Sequence, residues 1–424
     1  MLPIIIIGVL FFIFGFITWL NGALIPFLQI VSDLNEFQAL LIAFSFYIAY
    51  TVMALPMSWI LEKTGYKLGI VYGLSLVGMG SFLFIPAAKT QIFAVFLFAQ
   101  FTMGAGLTLL QTAANPYIVK LGPSESAAAR IAVMGILNKL AGVLAPLAFT
   151  ALVLAEFAGV NAASIAALPA LERKIQITNM ANNLIMPYFA MGLSLCCLAL
   201  IMWRIQMPTT DDNAGADTND KTTVWRHPQL IWGAISLFFY VGVEVIAGDT
   251  IGLYGSSLGL DNVTALTSYT MAAMVLGYFI GLAVIPRFVQ QHTVLVLSAI
   301  VGVLLSVGIV LSSDTSTTVA DVLWGWSNIP VLPNSVTLIA LLGIANAMVW
   351  PAIWPLALAD LGKHTAKGSA LLIMGIAGGA ILPLVYGGLA ELTNPKQAYL
   401  FLLSGYLLIG WYGLKGYKLR IKAS

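Results

Sequence analysis

The sequence predicts an all-α membrane protein of twelve transmembrane helices arranged as two six-helix bundles. Three observations carry the prediction: a composition too apolar for a water-facing surface, twelve apolar runs of spanning length, and a polar linker with six runs on either side. Of the 424 residues, 60% are hydrophobic and 8% charged, against roughly 25% charged in soluble domains. A net charge of +2 provides no basic field for nucleic acid. Cys196 and Cys197 are neighbours in one apolar run and the three His are scattered, so neither a disulfide framework nor a metal cluster is legible. No nucleophile–base arrangement stands in a suitable context, so the chain does not read as an enzyme and no cofactor is expected. The first run, L-P-I-I-I-I-G-V-L-F-F, lacks a basic leader region and a small-residue cleavage site, and reads as the start of the first span.

A helix needs about 20 apolar residues to cross a ~30 Å hydrocarbon core. The first half meets that requirement at Pro3–Val31, Phe37–Leu61, Leu68–Ala88, Ile92–Leu121, Ala127–Ala155 and Ile185–Met207. The second half meets it at Leu230–Leu258, Val263–Phe288, Val294–Ser312, Val336–Leu361, Ser369–Leu392 and Ala398–Tyr417. Between them P-T-T-D-D-N-A-G-A-D-T-N-D-K-T-T is polar, acidic and without apolar periodicity. The expected division is therefore a bundle over 1–207, a linker over 208–227 and a bundle over 228–424. Two longer segments, Asn161–Asn183 and Asp314–Asn334, are expected as surface loops carrying short helices.

Basic residues orient the spans. One set of loops, with the tail, holds Lys63, Lys67, Lys120, Arg130, Arg204, Lys221, Arg226, Arg287, Lys363, Lys367, Lys415, Lys418, Arg420 and Lys422. The alternate loops hold only Lys89, Arg173, Lys174 and Lys396. Both termini and the linker are thus expected in the cytoplasm. The fifth span reads Asn138, Gly142, Pro146 and the eleventh Gly375, Gly379, Pro383, offset by 237 residues at all three places. Small residues at such spacing are common wherever membrane helices approach closely. Their recurrence in the same span of each half argues for a parallel duplication, the architecture of secondary transporters with a site at the midplane between bundles.

Several runs match a known family. S-W-I-L-E-K-T-G-Y-K, from Ser58 to Lys67, resembles the loop between spans two and three of the major facilitator superfamily. The resemblance implies a cytoplasmic gate latch at Glu62, Lys63, Gly65 and Lys67, with Ser58 where the family has a leading glycine. L-N-G-A-L-I-P-F-L-Q, Q-T-A-A-N-P-Y, Y-V-G-V-E and L-G-K-H-T-A-K-G-S-A-L-L-I-M-G-I-A-G-G-A-I-L-P are similar to the fucose–galactose–glucose symporter family. G-I-L-N-K-L-A-G is similar to its N-acetylglucosamine subgroup. Fucose-type members carry an acid after the first-span L-N and another before T-A-A-N-P; here those places are Gly22 and Gln111. Glucose-type members also have Gln at the second. The coupling chemistry of the fucose branch therefore does not carry over.

The intramembrane polar residues come next. Lys139 lies nine residues past Arg130, about 14 Å along a helix. A Lys at mid-bilayer costs about 2.5–3.5 kcal/mol, so a partner is expected. Glu244, deep in the seventh span, is its natural counterpart. The pair reads either as a structural clamp or as a cavity element that responds to sugar or cation. Asp249 follows in the glycine-rich I-A-G-D-T-I-G-L-Y-G, where a local helix break would turn both acids inward; an outer-gate contact is the other reading. Glu156 and Asp360 read as helix-end contacts. Asn21, Gln111, Asn115, Asn138 and Asn346 are amides suited to sugar hydroxyls because each both donates and accepts, or else are interhelical ties. Trp350, four residues before Trp354, is the aromatic candidate, with Trp19, Phe46 and Tyr240 behind it.

The resemblance thus implies H⁺- or Na⁺-coupled uptake of a monosaccharide such as glucose, galactose, fucose or N-acetylglucosamine across a bacterial inner membrane. Glu244, Lys139 and Asp249 are the coupling candidates. A facilitator or multidrug-type carrier of the same fold is the alternative. The expected partners are the sugar and membrane lipid, with no nucleic acid, and the chain is expected to act as a monomer.

Overall fold

The computed structural model describes residues 2–120, 127–154, 164–165, 167–205, 226–284, 288–361 and 365–420. Twelve helical spans are long and apolar enough to cross a membrane. In the first bundle they are α1 (Ile5–Val31), α2 (Glu36–Ala54), α3 (Lys63–Thr90), α4 (Phe93–Ala114), α5 (Val133–Val153) and α6 (Ala170–Arg204). The second contains α7 (Pro228–Asp249), α8 (Val263–Val284), α9 (Gln291–Leu311), α10 (Asn334–Leu358), α11 (Leu371–Leu392) and α12 (Pro395–Lys418). An even number of spans returns each bundle to the side on which it began, here called the linker side. Of the expected linker only 226–227 lie among the described residues. Large apolar side chains such as Leu152, Met186, Leu200, Leu304 and Leu407 point outward, a surface suited to lipid rather than water.

Local chemistry sets several helix ends. Asn35 and Gln38 form a reciprocal capping box that starts α2: the Gln38 amide donates to Asn35 Oδ1 at 2.7 Å, and the Asn35 amide to Gln38 Oε1 at 3.1 Å. Near the start of α3 the chain kinks at Gly65, whose φ of +76° is open to glycine at no steric cost. Lys63 lies 3.6 Å from the Trp59 ring centroid and Lys67 is half-buried. The side chains of Glu62 and Asn115 lie outside the described residues, as does Glu156 entirely.

Two expectations about the chain path gain their detail. Within α6 the apolar helix starts at Ile185, where the sixth span was expected, and the segment before it, expected to carry short helices, holds the helix Ala170–Asn182. That helix exposes Glu172 and Lys174 beside Leu171 and Ile175, and Asn183 ties it to α5 by donating to the Val153 carbonyl at 3.2 Å. The break in the seventh span falls in the glycine-rich run where one was expected, just after Asp249. The helix runs unbroken over Pro228–Asp249 and resumes at Ile251–Ser257. Thr250 stabilises the step by donating to the Ile246 carbonyl at 2.6 Å, with Tyr399 Oη 2.9 Å away on α12. The loop between α9 and α10 carries the short helix Thr318–Trp324.

The two bundles meet through their far halves. The hydroxyls of Thr150 and Thr264 lie 2.7 Å apart, and Ser268 donates to the Val143 carbonyl at 2.7 Å. A Cβ on Gly22 would stand 1.9 Å from Thr267 Oγ1, so any side chain there would force α1 away from α8. The repeated glycines do parallel work. Gly142 abuts Met271 of the second bundle, and Gly379 abuts Tyr47 of the first.

Candidate functional site

The site is built where α5 and α7 face each other across the bundle interface. Lys139 Nζ lies 2.6 Å from Glu244 Oε1, and both side chains are 9% exposed. Lys139 also stands 4.3 Å from the centre of the Trp19 ring. A cation over an indole face is attracted by the ring quadrupole, so the ammonium is answered on two sides. Tyr240 and Tyr278 border Glu244. Trp19 closes α1's first helix, just before the break at Leu20. Its ring lies where a Cβ on Gly142 or on Gly248 would come within 2.7 or 2.6 Å of it. The indole is therefore wedged between α5 of its own bundle and α7 of the other.

The amides divide. Gln111 is half-buried and donates to Tyr50 Oη at 2.9 Å. Asn138 uses both ends of its amide on α1, donating to the Phe11 carbonyl at 3.3 Å and accepting from Trp19 Nε1 at 3.5 Å. Asn21 and Asn346 had the same two readings, sugar contact or interhelical tie, and in this conformation each makes a tie. Asn21 is buried and accepts from Gln100 Nε2 at 2.7 Å; Asn346 is buried and accepts from Tyr406 Oη at 3.0 Å. Both are ties within one bundle, because the helix rotation that packs α1 on α4 and α10 on α12 turns these amides inward. Each keeps an Nδ2 without a partner among the described residues.

Trp350 is half-buried, its ring 6.4 Å from Tyr240 and 5.6 Å from Trp354, whose Nε1 has no partner among the described residues. This offers an aromatic plane bordered by that donor. Asp249 is buried one turn beyond Glu244, and neither of its carboxyl oxygens has a partner among the described residues. Asp360 accepts from Arg420 Nη1 at 3.3 Å, a helix-end contact. Sequence reasoning passed over Tyr50, Gln100 and Tyr406, the partners of the three amides. A Tyr or Gln in an apolar run gives no local sign of which neighbour it will meet.

The arrangement offers a charge pair bridging two bundles, adjoining hydroxyl and amide groups, and an aromatic plane. The family model described as Major Facilitator Superfamily matches residues 7–383. A glucose/galactose transporter of Brucella abortus is 34% identical over 417 residues, covering 96% of this chain and 92% of the relative. A putative glucose/galactose transporter of Helicobacter pylori is 32% identical over 421 residues, 96% and 95%. The L-fucose-proton symporter of Haemophilus influenzae is 27% identical over 433 residues, 98% and 97%. The crystal structure of the E. coli fucose:proton symporter superposes with a TM-score of 0.72 over 98% of both chains at 24% identity, a likeness of fold. The chain belongs to the Major Facilitator Superfamily, among the glucose/galactose and fucose symporter relatives that its motifs resemble.

Proposed function

We propose that the protein takes up a monosaccharide, such as glucose, galactose, fucose or N-acetylglucosamine, by alternating access coupled to a cation. The observation that supports this best is the Lys139–Glu244 pair at 2.6 Å. It joins the bundles through two charges that have almost no water, so its strength changes whenever the interface between bundles opens. A cation or sugar that competes for either member is thereby linked to the bundle equilibrium. Gln111, Asn138 and Trp350 supply hydroxyl and ring contacts to the sugar, and Glu62, Lys63 and Lys67 latch the linker side. The relatives named as glucose/galactose transporters and fucose-proton symporters support the substrate class. The excess of basic residues in the linker-side loops supports a cytoplasmic linker and termini, in a bacterial inner membrane.

The test is a panel of these sugars in proteoliposomes holding the purified protein, under imposed H⁺ or Na⁺ gradients. Uphill uptake of one sugar under one gradient is expected. Downhill flux alone would make the protein a facilitator, and the absence of flux for every sugar would remove the reading.

A further inference from the structure

α7 carries a second acid that the ion pair leaves unused. Asp249 is the last residue of the α7 helix and is 0% exposed. Neither carboxyl oxygen has a hydrogen-bond partner among the described residues. Its surroundings explain this. Thr250 Oγ1 is donated to the Ile246 carbonyl, Thr267 Oγ1 to the Gly248 carbonyl at 2.7 Å, and Thr270 Oγ1 to the Ala247 carbonyl at 3.2 Å. The hydroxyl protons near the break are thus spent on the backbone carbonyls of the helix's last turn. From α1 the Trp19 ring covers Gly248, the residue before Asp249.

The charged and titratable groups acting on Asp249 are few. Glu244, on its own helix, acts as a like charge, and Lys139 of α5 as an opposite one. Lys139 is already engaged by Glu244. Tyr47 of α2 also interacts electrostatically with Asp249, and its buried hydroxyl has no hydrogen-bond partner among the described residues. α8 contributes only uncharged Thr267 and Thr270, and Tyr399 of α12 reaches the break through Thr250. With both acids ionised, the cluster would hold two negative charges against one positive, in a place without water. A carboxylate stripped of water and of donors is costly, so closing this interface requires that a cation enter with it.

We propose that Asp249 carries the coupling proton of the transport cycle. This rests on the reading of the protein as a cation-coupled sugar transporter and deepens it by assigning the cation and its carrier. The carboxylate takes one proton from water while the far end of α7 is open. It is buried as the neutral acid when the bundles close on it, and returns the proton to water when the linker side opens. Lys139 and Glu244 neutralise each other meanwhile, so the closed interface carries no net charge. The helix step at Thr250 separates Asp249 from Ile251–Ser257, the segment that packs on Pro26 of α1. That contact breaks when the far side opens.

The experiment uses the full chain in proteoliposomes with whichever sugar it exchanges. Wild type should accumulate sugar under a proton gradient, by at most about tenfold per pH unit for one proton, and should alkalinise the medium when sugar is added. Asp249→Asn should keep counterflow exchange while both accumulation and alkalinisation are lost, and Asp249→Glu should restore them in part. Accumulation by Asp249→Asn equal to wild type would overturn the assignment. Accumulation by wild type under a sodium gradient alone would do the same while leaving the sugar reading intact. If no sugar exchanges, the sugar reading fails separately, and infrared spectroscopy decides this one. A protonated-carboxyl C=O band should be present in wild type and absent from Asp249→Asn; a spectrum without that difference refutes the proposal. The same spectrum decides the matter if Asp249→Asn proves inactive in exchange.

Discussion

Replacing Glu244 by Gln leaves Lys139 charged in the bundle interface with no carboxylate to answer it. Both side chains are 9% exposed, so water screens the loss little. Breaking one side of a buried pair typically costs about 3–5 kcal/mol. The Trp19 ring at 4.3 Å remains and offsets about 1 kcal/mol of that, so Glu244→Gln should destabilise the protein by about 2–4 kcal/mol. Lys139→Met combined with Glu244→Gln removes both charges and should recover most of the deficit, because a neutral replacement of a buried pair is often harmless to stability. Unfolding of the purified protein in detergent, followed by tryptophan fluorescence across the two single variants and the double, gives the interaction energy. Transport separates from stability here: the double variant should be folded yet unable to accumulate sugar. A single variant costing under about 1 kcal/mol, with no recovery in the double, would refute the view that the pair is held away from water.

Gly22→Ala sets a Cβ against Thr267 and should disfavour the far-closed conformation by about 1–3 kcal/mol. Distances between spin labels on the far ends of α1 and α8 should lengthen, and an unchanged distribution would count against the contact. Trp350→Ala should weaken sugar binding by about tenfold while Trp350→Phe costs less, read as Kd by tryptophan quenching or isothermal titration. At the far end, burial alone would push the Asp314 carboxyl up, but Lys396, 2.9 Å away, and Tyr254, donating at 3.0 Å, hold it below the ordinary carboxylate range. A carboxyl lowered on folding contributes stability above about pH 4 and loses it as the pH falls through its folded value. Asp314→Asn should therefore lower the thermal midpoint at neutral pH and make no difference in strong acid. The effect should stay within about 1 kcal/mol because the pair is partly open to water.

Hydropathy was enough to count the spans, since the cost of placing a backbone in lipid depends on length and composition that any run carries by itself. The same local reasoning singled out Lys139 and Glu244, because a charge at that depth is expensive whatever surrounds it. Gly65 was legible through the loop motif, and its φ of +76° supplies the physical reason. What the chain alone left open is which way each helix faces. Spans such as α4 and α5 are apolar all round, so no stripe marks the side that meets the other bundle. Hence Asn21 and Asn346 read as wall residues or as ties, and packing turned them onto Gln100 and Tyr406. The step in the seventh span falls inside the glycine-rich run that the sequence marks, and the hydroxyls of Thr250, Thr267 and Thr270 bond the carbonyls of the turn before it. Two of those three come from another helix. Sequence determined that this chain carries costly charges within a twelve-span bundle; only the tertiary structure decided which of them are answered, and that Asp249 is not.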